Sequence, residues 1–498
     1  MNPDAILFGA FERHNFGDLL MGFAFEKLLK QKGINTIHAS ILENDLTDCG
    51  GARVHSIFHL LASGLDRDIP ILHVGGESAS CTFNDALACD SPAPLPYQYK
   101  DVVSSEVHQR LGTDRTFPYL TPQYERIHEQ LNTWGNRLFY GIGLTRLTDD
   151  SVHHESLRQT FAAATLISFR DAHSLRNARS LGVDHAIFSP DIVLSISRLM
   201  PVAHQPGQAR YLLMHFNGEY LRRNAAALIH ALSQIAPRFE GGLKIGLAGT
   251  ANYHDSLDDF YRFKRLAAES SIAIEVLPSV DIFTICHQIA NAAAIVSTSL
   301  HYRIVARSYG VPRITMNVHK VNCWAESNDG NFPYGVEPDT LATVINSLID
   351  SIRPVDESAQ AKDLRLIDDR IEAITGIIKA AAPNSERPRL RVVAAQPSSP
   401  APDVWITSMV RCLDEREMSI KAQAEIIRAQ NVVLTSKARL LRRLLHLLLV
   451  SCRRKHPWGS PSSSLVEQRA QEHSEGSVAS GDPHHPINNG RVVQRMGP

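Results

Sequence analysis

The chain has 498 residues, 44% of them hydrophobic and 21% charged, which excludes wholesale disorder. At about 150 residues per domain it allows two or three domains. Lysine and arginine total 51 against 52 aspartate and glutamate, a net charge of -1, so a globally basic nucleic-acid binder is excluded and no nucleic-acid partner is expected. The seven cysteines are scattered, odd in number and without CxxC pairs. That argues against a disulfide framework and a cysteine-rich zinc site, and for reduced thiols in a cytosol.

Met1 to Asp4 leads directly into an apolar run at 5–8, with no basic leader, so no secretory signal is expected. No stretch reaches the ~20 apolar residues of a membrane span. The nearest, 444–450, contains His446 and follows Arg442 and Arg443. Apolar runs at 5–8, 69–74, 138–142 and 166–169 predict strands, with helices at 17–32 and 171–181 between them. Residues 90–125, rich in proline, tyrosine and polar side chains, break the alternation and read as an insertion or long loop. After a loop at 201–208 a second series follows, with strands at 211–215, 244–248, 273–277, 294–297 and 313–316. Helices are predicted between them at 224–235, 255–268, 281–292 and 301–309.

This alternation is the signature of parallel α/β sheets. It predicts two Rossmann-like domains, 1–200 and 209–352, facing a cleft, with ligands at the carboxyl ends of the strands. A helix at 353–382, a proline-rich linker at 383–403, an amphipathic or coiled-coil-like helical segment at 404–455 and a disordered tail at 456–498 complete the chain. The basic, leucine-rich end of the helical segment, 437–455, fits a partner helix or an anionic membrane surface.

Four constellations carry candidate chemistry. Asn15, Phe16, Gly17 and Asp18 lie where a strand-following loop enters a helix, a place for an anion or for simple capping by Asp18. Gly75 and Gly76 follow a strand and allow close backbone approach or a tight turn. Arg170 and Asp171 sit at a strand end, with Asp191 further on. Arg170 suits bidentate recognition of carboxylate or phosphate, or a structural ion pair with Asp191, and Asp171 suits a helix cap. Ser297, Thr298, Ser299, Leu300 and His301 run from a strand into a helix. Hydroxyls and a helix N-terminus make a phosphate cradle, and a histidine there suits acid–base work or a capping role. No HExxH, metal-ligand spacing or GxSxG elbow is present, so no metal site and no serine hydrolase is expected.

Taken in order, these elements resemble the polysaccharide pyruvyl transferase family over about residues 5–350. The pieces are Asn15 to Asp18, Gly75 and Gly76, Gly141 and Gly143, Arg170 to Ser174, Pro190 and Asp191, and Ser299, Leu300 and His301, closing with Gly310, Val311 and Pro312. The resemblance implies two domains in a GT-B-like arrangement. It implies transfer of a pyruvyl group from phosphoenolpyruvate, as co-substrate and with no cofactor, to two hydroxyls of one sugar as a ketal. It also implies a glycan or lipid-linked oligosaccharide acceptor from a cell-surface or exported polysaccharide, met in the cytoplasm or at the inner face of a membrane.

On that resemblance Arg170 takes the donor's anionic groups and His301 does acid–base work or contacts phosphate. Asp18 orients the acceptor or acts as base, with Asn15, Gly17, Gly75, Gly76, Asp171, Asp191, Ser297 and Ser299 around them. Many family members carry arginine where this chain has Ser299, which leaves the site one cation short; Arg303 or Lys320 could substitute, and if neither does, donor binding is weakened or the donor differs. Tyr97, Tyr99, Tyr119, Trp324 and Tyr334 stand in loops where they could stack on sugar rings or pack the loop. Two other readings remain at this level. One is a nucleotide-sugar glycosyltransferase gripping a ribose through Glu326 or Asp329; the other is a non-catalytic scaffold acting through 404–455.

Overall fold

The computed structural model describes residues 3–62, 69–82, 85–86, 89, 119, 137–147, 151–203, 210–251, 254–351 and 357–381. The expected segments at 383–403, 404–455 and 456–498 lie outside the described residues, as does 90–125 apart from Tyr119. Both sheets belong to one compact unit, Met1–Glu425.

The first sheet contains β1 (Ala5–Phe8), β2 (Thr36–Ser40), β3 (Asn44–Asp45), β4 (Arg53–Ser56), β5 (Ile71–Val74), β6 (Arg137–Ile142), β7 (Leu166–Phe169) and β8 (Ile187–Phe188). Their order is β3-β4-β2-β1-β5-β6-β7-β8, parallel except for β3 against β4. Helices α1 (Phe16–Gln31), α2 (Ile57–Ala62), α3 (Ser151–Ala162) and α4 (Ala172–Ser180) alternate with the strands, and α5 (Ile196–Leu199) ends the series. The second sheet contains β9 (Leu212–His215), β10 (Leu243–Gly246), β11 (Ile274–Leu277), β12 (Ala294–Ser297) and β13 (Arg313–Thr315), all parallel in the order β11-β10-β9-β12-β13. Helices α6 (Gly218–Ile235), α7 (Leu257–Glu269), α8 (Ile282–Ala290) and α9 (Leu300–Ser308) connect them. Then come α10 (His319–Asn328), α11 (Leu341–Asp350) and α12 (Glu357–Ala381). No helix among the described residues is long and apolar enough to cross a membrane.

The central strands β1, β5, β6, β9 and β12 are buried at every position, so they read as continuous apolar runs. The strands at 36–40 and 53–56, not expected from sequence, carry Thr36, His38, Ser40, Arg53, His55 and Ser56 and lie toward the sheet edge, where one face is half-polar. Helix α6 begins at Gly218 rather than 224 because the Asn217 side chain accepts the Tyr220 N–H at 2.8 Å and caps it there. Helix α10, also unexpected, has little amphipathic contrast and docks on the first domain.

One apolar cluster joins the domains. It runs from Leu20 and Phe25 of α1 to Ile285 of α8, Ile304 of α9 and Ile367, Ile371, Ile374 and Ile378 of α12. These four isoleucines, spaced to share one helix face, bury apolar area worth about 1.5–3 kcal/mol each. At the helix surface, Asp368 receives a bidentate contact from Arg198 at 2.8 and 2.7 Å, and Glu372 receives Lys32 at 2.6 Å. Such exposed pairs add little beside the isoleucines.

Arg303 is fully buried and holds the loop that follows α10. It donates to Thr315 Oγ1 at 2.8 Å and to the carbonyls of Asp329, Phe332 and Pro333 at 2.9 Å, and its Nε lies 2.8 Å from Asp329 Oδ2. Arg313 Nε reaches the same carboxylate at 2.7 Å. Replacing Asp329 by alanine leaves two buried guanidiniums without their counter-charge. Asp329→Ala is expected to lower unfolding stability by about 3–5 kcal/mol, read as a reduced urea midpoint at unchanged slope.

Candidate active site at the seam of the two sheets

Strand order reverses between β1 and β5 in the first sheet and between β9 and β12 in the second. In open α/β sheets ligands bind at such switch points, outside the carboxyl ends of the strands. Here the loops leaving β1, β5 and β12 meet. The Asn15 side chain caps α1 by accepting the Gly17 N–H at 3.1 Å and reaches His254 Nε2 at 3.1 Å. Phe16 N–H donates to the Ala248 carbonyl at 2.7 Å, and Asn15 forms an antiparallel bridge with Gly249. The N-terminus of α1 therefore docks on the second domain. A Cβ on Gly17 would overlap the His301 ring, so only glycine lets α1 and α9 approach this closely.

Arg170, at the end of β7, is 2% exposed. Its Nη2 donates to Glu77 Oε2 at 3.1 Å, and its Nη1 lies 3.7 Å from Asp191 Oδ2. Glu77 also accepts the Thr145 N–H at 2.6 Å. Burial pushes the Glu77 carboxyl up, but Arg170, Thr145 and Lys320 outweigh it and hold the group below its usual range. A Cβ on Gly143 would collide with the Glu77 carboxylate and stand 2.8 Å from Arg170 Nη2. The pairing of β6 with β7 shifts register between Phe139 and Ile142, where Gly141 takes φ +61°, and this irregularity brings Gly143 to Gly76. The strand end is thereby re-aimed so that Glu77 and Arg170 meet.

His301 lies in the first turn of α9, its Nε2 3.8 Å from Asp191 Oδ2. Arg170 Nη1 and Nε, Asp191 Oδ2 and His301 Nε2 are all buried and, among the described residues, have no hydrogen-bond partner. Burial first, then the charges of Arg170 and Lys320, hold the His301 imidazole well below its ordinary pKa, so it is neutral at neutral pH. Burial likewise raises the Asp191 carboxyl against the pull of Arg170. Asp18, in the first turn of α1, is pushed up to about 6 by burial, with Arg13, Lys320 and Arg170 opposing and Glu12 reinforcing. Its carboxylate rests over Gly76, 3.3 Å from where a Cβ would stand. Lys320, exposed in the first turn of α10, stands near enough for its charge to act on Asp18, Glu77 and His301.

Several other expected residues are committed to the fold, and others stay at the surface. Arg303 does not supply a cation here, because its guanidinium is enclosed by the 329–333 loop. Asp171 is fully buried and caps α4, accepting Ser174 N–H at 2.7 Å and Ser174 Oγ–H at 2.9 Å. Ser297 is fully buried, its Oγ accepting the Ser299 N–H at 2.8 Å. Ser299 is the N-cap of α9, partly exposed beside His301. Gly75 and Gly76 take φ +28° and +78°, and a Cβ on Gly75 would overlap the Met21 sulfur. Trp324 is core and Tyr119 is 2% exposed, whereas Tyr334 is 37% exposed. Tyr97 and Tyr99 lie outside the described residues. Asp329 is closed by two arginines, and Glu326 pairs with His173 at 2.8 Å.

Glu77 and Thr145 were not expected as site residues, and Gly143 was expected only as a piece of the resemblance. The available signals were the carboxylate directly after a glycine pair and a second glycine two residues beyond Gly141. Among the described residues no three His, Cys, Asp or Glu side chains are grouped as metal ligands. A cavity of about 390 Å³ lies at the opposite, amino end of the second sheet, lined by Arg210, Ala294, Pro312 and Phe332.

No curated protein matches the chain. Solved structures similar to it include the UDP-GlcNAc 2-epimerase of Neisseria meningitidis bound to UDP-GlcNAc, 11% identical with a TM-score of 0.43, covering 76% of this chain and 99% of that one. A glycosyltransferase of Rickettsia africae is 14% identical with a TM-score of 0.43, covering 76% and 99%. The model of the family described as polysaccharide pyruvyl transferase matches residues 15–320, a span that begins at the Asn15 cap, includes Arg170, Asp191 and His301, and ends on Lys320. With more than half of its length matched, the chain belongs to the polysaccharide pyruvyl transferase family.

Proposed function

We propose that the protein transfers the pyruvyl group of phosphoenolpyruvate to two hydroxyls of one sugar in a cell-surface or exported glycan, forming a ketal and releasing phosphate. The observation that carries this reading is the buried, unpartnered set of Arg170 Nη1, Asp191 Oδ2 and His301 Nε2 at the N-terminus of α9. A donor with a phosphate and a carboxylate needs fixed cations and oriented N–H groups, and it finds Arg170, Lys320 and the amides of α9 there.

The reaction requires a proton on the donor's methylene carbon, which leaves an oxocarbenium-like centre at the adjacent carbon. One sugar hydroxyl attacks that carbon, the carbon–oxygen bond to phosphate breaks, and the second hydroxyl closes the ketal. Of the two hydroxyl protons, one balances the new methyl group and the other leaves with phosphate. Asp18, with a pKa of about 6, is placed to accept a hydroxyl proton near neutrality. His301 is neutral before the donor arrives, and a phosphate beside it favours the imidazolium, a proton source. The nucleotide-sugar reading is weakened because Asp329 is closed off and Glu326 is paired.

Arg170→Lys keeps the charge that Glu77 and Asp191 need but removes the planar fork. It and His301→Gln are each expected to reduce phosphate release from phosphoenolpyruvate about 10²-fold, with thermal midpoints close to wild type. Wild-type rates in both folded variants, or no saturable heat when the wild-type protein is titrated with phosphoenolpyruvate, would overturn the reading. If Asp18 is the base, its protonation stops it accepting a proton. The rate of the wild-type protein is then expected to fall as pH drops below about 6, and Asp18→Asn to remove that limb along with most activity. Gly17→Ala places a methyl group in the His301 ring position and is expected to weaken phosphoenolpyruvate binding roughly tenfold, measured by calorimetry.

A further inference from the structure

Behind the seam lies a buried chain of hydrogen bonds that, among the described residues, includes none to Arg170, Asp191 or Asp18. His215, at the carboxyl end of β9, is 3% exposed. Its Nε2 stands 3.1 and 3.2 Å from the two Asp255 oxygens, and its Nδ1 stands 3.2 Å from Ser297 Oγ. Asp255 Oδ2 also accepts the N–H groups of Ala248 at 2.6 Å and Gly249 at 3.0 Å. Burial pushes this carboxyl up, but His215 and the two amides outweigh it, so it stays ionised and acceptor-only.

The acceptor-only carboxylate fixes one direction: Nε2–H donates to Asp255, while Nδ1 shares a hydrogen bond with the Ser297 hydroxyl, which also faces the Ser299 carbonyl at 3.5 Å. The Ser297 oxygen in turn accepts the Ser299 N–H at 2.8 Å. Ser299 caps α9, two residues before His301. At the other end, the Ala248 carbonyl takes the Phe16 N–H, and Thr250 N–H donates to the His14 carbonyl at 3.1 Å, two to four residues before Asp18. One carboxylate–imidazole pair therefore ties down both the strand exit that launches His301 and the loop on which the Asp18 helix docks.

We propose that His215 and Asp255 are positioning residues for the site. Through Ser297 they set the orientation of the α9 N-terminus and His301, and through the 248–250 loop they hold α1 against it. The kinetic part of this proposal rests on the reading under Proposed function; the structural part does not.

The test uses Asp255→Asn and Ser297→Ala in the full chain. An asparagine can keep the two backbone amides on its oxygen while presenting N–H to His215, which reverses the imidazole tautomer. The serine variant loses one oxygen and decides alone if Asp255→Asn does not fold. Imidazole proton–nitrogen NMR correlations follow His301, its signal identified by its loss in His301→Gln. Both folded variants are expected to shift the His301 signal. Each is also expected to lower kcat for phosphate release about tenfold or more, with KM for phosphoenolpyruvate within about threefold. An unmoved His301 signal in the folded variants overturns the proposal, as does an unchanged kcat in an active protein. If the wild-type protein turns over no phosphoenolpyruvate, the functional reading fails, and the NMR shift alone decides the positioning role.

Discussion

Burial of the Arg170 guanidinium is the constraint around which the site is arranged. Removing an ion from water costs several kcal/mol after relaxation, and full recovery requires good geometry and complete hydrogen bonding. Arg170 has the counter-charges, Glu77 at 3.1 Å and Asp191 at 3.7 Å, but two of its nitrogens have no hydrogen bond among the described residues. Buried donors are usually satisfied, so these two nitrogens call for an explanation, and unlike those of Arg303 they stand beside His301 and Asp191 at the strand ends. The bend at Gly141, the missing Cβ of Gly143 and the Thr145 contacts to Glu77 all support one under-satisfied cation. That combination fits a group whose remaining partners arrive with a substrate.

The same logic extends to the helices. Helices α1, α4 and α9 each begin at this seam, capped by Asn15, Asp171 and Ser299. Their N-terminal dipoles add positive potential without adding a side chain to desolvate. This offsets the absence of an arginine at position 299: Lys320 and the helix ends contribute field, while Arg303 is committed to the Asp329 loop. The shared apolar cluster beneath, from Phe25 to Ile371, keeps the two sheets in register so that a glycine at 17 can meet a histidine at 301.

The alternating fold was legible because the central strands are buried on both faces and so consist of unbroken apolar runs. The strands from Thr36 and Arg53 were not, since edge-ward position admits His38, Ser40 and His55 and erases the run. The candidate site was legible where chemistry follows a strand end, at Asp18, Arg170 and His301. It was not legible where a residue acts through a distant partner. Nothing local distinguishes Arg303, which closes a loop, from Lys320, which faces the site; the difference lies in which way the turn of α9 points. Likewise Ser297 and Ser299 stand two residues apart in one hydroxyl run, yet one faces His215 inside the fold and the other caps a helix and is partly exposed.

The titratable groups at the seam share one property that bears on the proposed reaction. His301 is held neutral by burial and by Arg170, while Asp18 and Asp191 are raised toward their neutral forms by burial. In the free protein the site therefore holds several groups poised to change charge. In the proposed reaction a donor with phosphate and carboxylate groups would bring negative charge against Arg170 and Lys320 and offset their share, second to burial, of the shift that keeps His301 neutral. On that proposed reading, donor binding favours proton uptake by His301. In the proposed reaction the proton for the methylene carbon would then come to His301 with the donor's charge rather than before it, because burial disfavours an imidazolium that has no anion beside it.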